Sequence, residues 1–260
     1  MELFDSHAHY NDEKYDEDRE TIINEIYNSG VTKIINAGYS LESSKKAINI
    51  AKEYDFMYAI VGVSPNDIEN LSQDYIKQIE EMAQDKKVVA IGEIGLDYYW
   101  NKENKEEQKQ VFIDQIKLAN KLNLPIVIHT REAVMDTIDI LKNQVTCDNK
   151  GVFHCCPLNI ELVKEALKLG FYISFAGPVT FKNSKNANEA VNYVPMERIL
   201  IETDSPYLSP EPLRGRRNDS RNVRYIAQKI AEIKGMTVED VAKQTYENAK
   251  KIFKIGEKHE

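Results

Sequence analysis

Short apolar runs recur along the chain, separated by longer stretches in which polar and apolar residues are mixed. Eight of the runs are nearly continuous in Val, Ile, Leu and Phe, which is typical of parallel strands buried on both faces. They predict strands at 3–5, 33–37, 57–63, 88–93, 126–129, 151–154, 171–175 and 198–202. The remaining stretches predict helices at 16–29, 41–54, 72–84, 104–122, 131–142, 159–169, 186–193, 222–234 and 238–253.

Strands that alternate with helices predict an α/β architecture. In the fourth helix, Phe112, Ile116, Ala119 and Leu122 recur at steps of three and four, which marks one buried stripe. Eight such units in 260 residues favour a TIM-type (β/α)8 barrel with an extra C-terminal helix. The alternative is an open doubly wound sheet, but no predicted strand is followed by the Gly-x-Gly-x-x-Gly motif. No linker or repeat divides the chain, so we expect residues 1–260 to form one domain.

The composition and charge of the chain argue against several classes of protein. Hydrophobic residues make up 42% and charged residues 29%, which argues against disorder, and no apolar run approaches the ~20 residues of a membrane span. Residues 1–10 lack the pattern of a secretory signal, and the three cysteines lack Cys-x-x-Cys spacing, so we expect a cytoplasmic protein with reduced thiols. The net charge of −8 disfavours general binding of polyanions unless basic loops or bound cations reverse the local field.

Four of the five histidines stand at the carboxyl ends of predicted strands: His7, His9, His129 and His154. Two carboxylates, Glu93 and Asp204, occupy equivalent positions. Since these strand ends converge on one mouth of a barrel, we expect the six side chains to surround one site. A single histidine at a strand end would be an ordinary core or loop residue. Four imidazoles with two carboxylates instead predict a centre for two divalent cations such as zinc or manganese.

Three further residues are not counted among the six candidate ligands. Glu202 lies two residues before Asp204 on the same strand face, so we expect it beneath the site. There it is either a partner for a ligand imidazole or part of a buried ion pair. Cys156 and His259 are not expected to take part.

Long motifs are spread over nearly the whole chain: DSHAHY, AIGEIGLDYYW, VIHTREA, GVFHC, YISFAGPVTFKN, ILIETDSPYLSPEPLRGRRN and NAKKIF. Through them the chain resembles the TatD-like metal-dependent deoxyribonucleases, a branch of the amidohydrolase superfamily. The resemblance implies a TIM-type barrel and hydrolysis of DNA phosphodiester bonds with two cations of zinc, manganese or magnesium. It assigns one cation to His7, His9 and Asp204. It assigns the other to His129 and His154, with Glu93 bridging both.

Two segments depart from the family pattern. Many members carry Gly-x-His-Pro-His after the third strand, where this chain has Ser64 and Asn66 in place of the histidines. Any phosphate contact or proton transfer by those histidines is therefore absent here or performed by other groups. After His154 the chain continues Cys155-Cys156-Pro157-Leu158, where the family often has Cys-Phe-Ser/Thr-Gly. This change affects the shape of the sixth loop and hence the fit of the substrate.

The expected chemistry is two-metal activation of water. Two cations ~3.5–4 Å apart lower the pKa of a water between them and neutralise the charge that develops on a phosphodiester. Asp204 is placed to accept the proton as general base, and Glu93 is the other carboxylate of the catalytic pair. A hydrolase of small esters, lactones or amides is the alternative that keeps the same metals. A binding protein without activity is disfavoured, because it has no need for six convergent ligands.

Basic residues beyond the last strands indicate the substrate. Arg214, Arg216 and Arg217 follow the eighth strand, and Lys182 follows the seventh. Because guanidinium groups match phosphate oxygens, we expect these residues to contact phosphate, the alternative being a solvated charge run.

Aromatic residues follow the fourth strand. Tyr98 and Trp100 come a few residues after Glu93 and are candidates to stack on unpaired bases, with core packing an equal alternative. DNA, single-stranded or at chain ends, is therefore the expected partner, and no obligate protein partner is inferred.

Overall fold

The computed structural model describes residues 1–256, so His259 lies outside the described residues. Eight strands are present: β1 (Leu3–Ala8), β2 (Val31–Ala37), β3 (Met57–Val61), β4 (Val88–Asp97), β5 (Ile126–Arg131), β6 (Gly151–Phe153), β7 (Tyr172–Phe175) and β8 (Ile199–Ile201). The α-helices among these residues are α1 (Arg19–Asn28), α2 (Leu41–Glu53), α3 (Tyr75–Met82), α4 (Lys105–Leu122), α5 (Val134–Gln144), α6 (Ile160–Lys168), α7 (Ala187–Tyr193), α8 (Val223–Lys234) and α9 (Val238–Ile252).

The strands form one parallel sheet in the order β1 to β8, which confirms the predicted barrel. The sheet closes through a parallel bridge between Ala8 and Ser205, just beyond the end of β8. There the backbone N–H of His9 donates to the carbonyl oxygen of Ser205 at 2.6 Å. The closure therefore joins the first strand to the turn that carries Asp204. Among residues 1–256, no helix has both the length and the apolar composition needed to cross a membrane.

The barrel interior is filled by apolar side chains from all eight strands, which can meet only on the inner face of a closed sheet. The predicted extra helix, α9, joins this cluster through Ala249 and Ile252. The ring of Phe4 on β1 lies 6.4 Å from that of Phe253 and 5.7 Å from that of Tyr246. Phe4 is near the start of its strand, so α9 covers the end of the barrel opposite the predicted site.

Two strand boundaries differ from the prediction in ways that matter for the site. β4 continues past Glu93 to Asp97, because a register shift lets it resume pairing with β5 from Ile94 onward. Gly95 makes this possible: a Cβ there would lie 1.9 Å from the carbonyl oxygen of His129, at a φ of +147°. β8 ends at Ile201, so Asp204 lies in the turn after the strand.

Candidate metal centre

The carboxylate of Glu93 lies between two pairs of imidazoles at the carboxyl mouth of the barrel. Its Oε1 is 3.1 Å from Nδ1 of His129 and 3.3 Å from Nε2 of His154. Its Oε2 is 3.4 Å from Nε2 of His7 and 3.7 Å from Nε2 of His9. One carboxylate thus faces both pairs, each through a different oxygen.

Asp204 completes the pair formed by His7 and His9. The Nε2 atoms of the two imidazoles are 3.2 Å apart, and Oδ1 of Asp204 is 3.3 Å from the nitrogen of His9 and 3.8 Å from that of His7. Asp204 has a φ of 57°, and its N–H donates to the carbonyl oxygen of His7 at 2.9 Å. The turn after β8 is therefore tied to β1 at the residue that supplies the carboxylate.

The outer nitrogens of three imidazoles lie beside acceptors, which turns their inner nitrogens toward the site. Nδ1 of His9 donates to the carbonyl oxygen of Ala37 at 2.9 Å. Nε2 of His129 lies 2.9 Å from Asp97, and Nδ1 of His154 lies 3.3 Å from Glu202.

A nitrogen that donates outward leaves a lone pair on the opposite ring atom, the tautomer required of a metal ligand. The convergent lone pairs and the carboxylate oxygens suit divalent cations of the zinc or manganese type. Three groups of residues could each hold an ion: His7 with His9 and Asp204, Glu93 with His129 and His154, and His7 with His154 and Glu202. The first two share no residue and correspond to the two predicted ligand sets.

The electrostatics of the two carboxylates and of His7 agree with this donor set. Burial raises the pKa of the Glu93 carboxyl, but the facing imidazoles, His154 foremost, outweigh burial and bring the pKa well below its usual value. Burial also raises the pKa of Asp204, and its contact with His9 reverses that effect. Burial and the charge of His154 lower the pKa of His7, which favours the neutral imidazole. Two ionised carboxylates and a neutral imidazole are the forms that coordinate cations. For His9, His129 and His154, burial lowers the pKa but the facing carboxylates outweigh burial and raise it, so a cation would compete with protons at these imidazoles.

Asp97 is a site residue that the sequence analysis missed. Its Oδ2 lies 2.9 Å from His129, and its Oδ1 accepts the backbone N–H groups of Tyr99 at 2.9 Å and Trp100 at 3.1 Å. The available signal was its spacing of four from Glu93, because residues at even spacing share one face of a strand. That signal was lost when β4 was predicted to end at Glu93.

Glu202, the residue after β8, lies beneath the site as predicted. Its Oε1 is 3.3 Å from Nδ1 of His154 and accepts the N–H of Cys155 at 2.6 Å. The carboxylate is almost completely buried. It therefore faces a candidate ligand imidazole and orients the first residue of the sixth loop.

A cavity of about 810 Å³, called the metal cavity below, opens above these groups. It is lined by His9, Glu93, His129, His154 and Asp204 and by loop residues that include Ser64, Asn66, Asp67, Trp100, Cys155, Cys156 and Tyr207. His7 is fully buried.

The two residues that replace family histidines both line this cavity. Ser64 donates to Asp67 at 2.7 Å, and Asn66 donates to Asp97 at 3.4 Å. Asn66 thus reaches the carboxylate that also faces His129.

The two aromatic candidates have different environments, and for Tyr98 the structure fits the alternative of core packing. Tyr98 is only 7% exposed, and its hydroxyl donates to Asp136 on α5 at 2.7 Å, so its ring is packed in the core and cannot stack on a base. Trp100 is 69% exposed at the rim of the cavity. Its neighbour Tyr99 lies under the guanidinium of Arg131, 3.7 Å from the ring centre.

The three arginine candidates lie beside the metal cavity. Arg214, Arg216 and Arg217 line an adjacent cavity of about 690 Å³, and among the described residues they do not line the one over the imidazoles. Arg217 is paired with Asp18, with Nη1 and Oδ1 2.9 Å apart. Lys182 is exposed in the segment after β7.

Comparison with known proteins decides the family. The model of a family described as TatD related DNase matches residues 4–254. The chain belongs to this family. The resemblance inferred from the motifs is thereby confirmed.

Curated family relatives match over nearly their whole length. YabD of Bacillus subtilis (strain 168), an uncharacterized metal-dependent hydrolase, is 46% identical, with 98% of this chain and 100% of YabD covered. YcfH of Escherichia coli (strain K12), also an uncharacterized metal-dependent hydrolase, is 37% identical, with 98% of this chain and 97% of YcfH covered.

Solved structures of TatD-type proteins have the same fold as this chain. The TatD homologue YjjV of Escherichia coli K12 superimposes with a TM-score of 0.92 at 24% identity, covering 97% of this chain and 98% of that one. A TatD-family hydrolase of Entamoeba histolytica gives 0.87 at 26% identity, covering 97% and 98%. The chain is thus a metal-dependent hydrolase of the TatD family with the expected barrel.

Proposed function

We propose that this protein hydrolyses phosphodiester bonds of DNA with two divalent cations held at the barrel mouth. The observation that carries the proposal is the position of Glu93 between two imidazole pairs, with one oxygen toward each. His7, His9 and Asp204 would hold one cation and His129 and His154 the other. Such a pair of cations lowers the pKa of water and neutralises charge developing on a phosphodiester.

The chain's own groups supply the proton acceptor. Asp204 lines the cavity and its side chain is 15% exposed, so it can reach a water within the site. Its lowered pKa keeps the carboxylate ionised, which is the form that accepts a proton. Its backbone hydrogen bond to His7 fixes the turn that carries it. We assign Asp204 as general base and Glu93 as the carboxylate that orients both imidazole pairs.

The substrate assignment rests on groups around the mouth. The protein carries a net charge of −8, yet Arg214, Arg216 and Lys14 line a cavity directly beside the metal cavity. Trp100 exposes an aromatic face at the rim, and stacking on aromatic rings is how unpaired bases are held without sequence preference. Positive charge and an exposed aromatic ring, each at the border of the same cavity, suit single-stranded DNA or a frayed end better than a small neutral ester.

The test is a substrate panel with the reconstituted protein. The protein is loaded in turn with zinc, manganese and magnesium, its metal content is measured, and end-labelled single-stranded and double-stranded DNA are offered beside a neutral aryl ester. We expect cleavage of the DNA and preference for unpaired strands. Efficient hydrolysis of the ester, with DNA untouched by any loaded form, would replace this proposal with the small-ester alternative.

A further inference from the structure

A second cavity adjoins the metal cavity and shares part of its wall. The two cavities have Tyr207 and Leu208 in common. The second one, of about 690 Å³, is called the cationic cavity below. It is lined by Lys14, Phe181, Tyr207, Arg214, Arg216 and Arg217, with loop residues between them. A strand lying across Tyr207 would therefore reach both cavities.

The charge of the cationic cavity is of one sign. Lys14, Arg214, Arg216 and Arg217 are its charged lining residues, and no carboxylate lines it in the described part of the chain. Arg217 is neutralised by its pair with Asp18, so three cations remain to meet a ligand. Three such groups in one concavity of an acidic protein form a local positive field, which favours an anion.

Two of these cations are held in place by aromatic rings. The Lys14 ammonium lies 4.0 Å from the ring centre of Tyr207, and the Arg214 guanidinium lies 4.2 Å from that of Phe181. Tyr207 is itself fixed, because its hydroxyl donates to Asp12 at 2.7 Å. Cation–π contacts restrict long side chains without neutralising them, so less freedom is lost when a ligand binds.

We propose that the cationic cavity binds one phosphate of the nucleic-acid strand that is being cleaved, and that this phosphate is not the scissile one. The inference rests on the proposed function, since it places the scissile phosphate in the metal cavity. Lys14, Arg214 and Arg216 bind the second phosphate, and the strand crosses the shared wall at Tyr207. The substrate class is then a strand with at least two phosphates, and a diester with one phosphate makes no use of this cavity.

The experiment compares two triple variants of the full chain. Lys14→Ala/Arg214→Ala/Arg216→Ala removes the three available cations. Lys77→Ala/Lys117→Ala/Lys243→Ala removes equal charge from exposed positions on the outer helices α3, α4 and α9. Binding of a fluorescein-labelled oligothymidylate is followed by anisotropy with metal-free protein across salt concentrations. Hydrolysis of the same oligonucleotide and of bis(4-nitrophenyl) phosphate is measured with metal-loaded protein.

We expect the first variant to bind the oligonucleotide at least tenfold more weakly than wild type, and the control variant to bind it nearly as well. The slope of log affinity against log salt should become shallower by roughly 0.7 for each phosphate that the variant no longer binds. In the first variant, KM should rise relative to wild type for the oligonucleotide by a factor at least ten times larger than for bis(4-nitrophenyl) phosphate.

Equal losses of affinity in the two triple variants would overturn the inference and leave the proposed function intact. An equal rise in KM for the two substrates would also overturn it, because the cationic cavity would then serve the scissile phosphate. Binding that depends on the three cations, with no cleavage of DNA by wild type, would support the phosphate site and remove the nuclease assignment.

Discussion

The carboxylate of Asp97 lies 2.9 Å from Nε2 of His129. Burial raises the pKa of Asp97, but its contact with His129 outweighs burial and lowers it, so the group is ionised and acts as an acceptor. A carboxylate in this position accepts a hydrogen bond from the proton on Nε2, which would leave Nδ1, the atom nearest Glu93, to bind a cation. The other oxygen of Asp97 accepts the N–H of Trp100. One side chain thus orients a candidate ligand and the turn that carries the exposed tryptophan.

Asp97→Asn should weaken metal binding without removing a ligand. An amide in this position no longer stabilises the donor tautomer of His129, and loss of such an outer partner typically costs 10–100-fold in metal affinity. Titration calorimetry with zinc or manganese measures the effect. Asp114→Asn is the control, because Asp114 lies on the outer helix α4 and accepts from the hydroxyl of Tyr75 on α3. Equal metal affinity in Asp97→Asn and wild type would show that Asp97 does not orient His129.

The two imidazole pairs should bind separable cations. We expect His129→Ala/His154→Ala to hold about one equivalent fewer than wild type after reconstitution, and His7→Ala/His9→Ala to lose the other equivalent. Each double variant is the control for the other, since both remove two buried imidazoles from the same mouth. Elemental analysis with thermal unfolding checks the result. Full loading of the first double variant with two ions would contradict the ligand assignment.

Asp204→Asn should lower turnover by ~10²–10⁴-fold, the usual contribution of a positioned general base. Part of the loss could arise from weaker metal binding, so metal content is measured in the same samples. Ser205→Ala is a neighbouring control in the same turn. Turnover close to wild type at full metal occupancy would exclude Asp204 as the base.

The sequence predicted the barrel because its strands are buried on both faces and therefore read as unbroken apolar runs. It predicted the six candidate ligands because strand ends in a barrel share one mouth. It missed Asp97 because the register shift between β4 and β5 is set by contact between two backbones at Gly95. It left stacking and core packing open for Tyr98, because residues close together in one motif can have different surroundings: Tyr98 is packed beside Asp136, and Trp100 is in solvent. Both features depend on residues distant in the chain.

Gln115→Leu should destabilise the fold near the site. The Gln115 amide on α4 accepts the N–H of Val63 at 2.8 Å and donates to its carbonyl oxygen at 2.9 Å. An apolar side chain leaves both buried backbone groups unpaired, at about 1–3 kcal/mol each. We expect the free energy of unfolding in urea to fall by about 2–6 kcal/mol. Gln110→Leu, on the exposed face of the same helix, should change it by less than about 0.5 kcal/mol.

The last prediction concerns Trp100, the single tryptophan of the chain. Its fluorescence therefore reports on one position, at the rim of the metal cavity. If a base stacks on the exposed indole, an oligothymidylate should change the tryptophan emission of the metal-free protein. Inorganic polyphosphate, which has charge but no bases, should leave the emission nearly unchanged.

Trp100→Ala should weaken oligonucleotide binding roughly 5–150-fold, because stacking contributes ~1–3 kcal/mol per base. Trp100→Phe should retain most of the affinity, since it keeps an aromatic face. Tyr98→Phe removes a hydroxyl bonded to Asp136 and should leave binding near wild type. If Trp100→Ala binds as tightly as Trp100→Phe, or if polyphosphate alters the emission as much as the oligonucleotide does, the exposed ring is not a stacking surface. In that case the rim must recognise its substrate through charge alone.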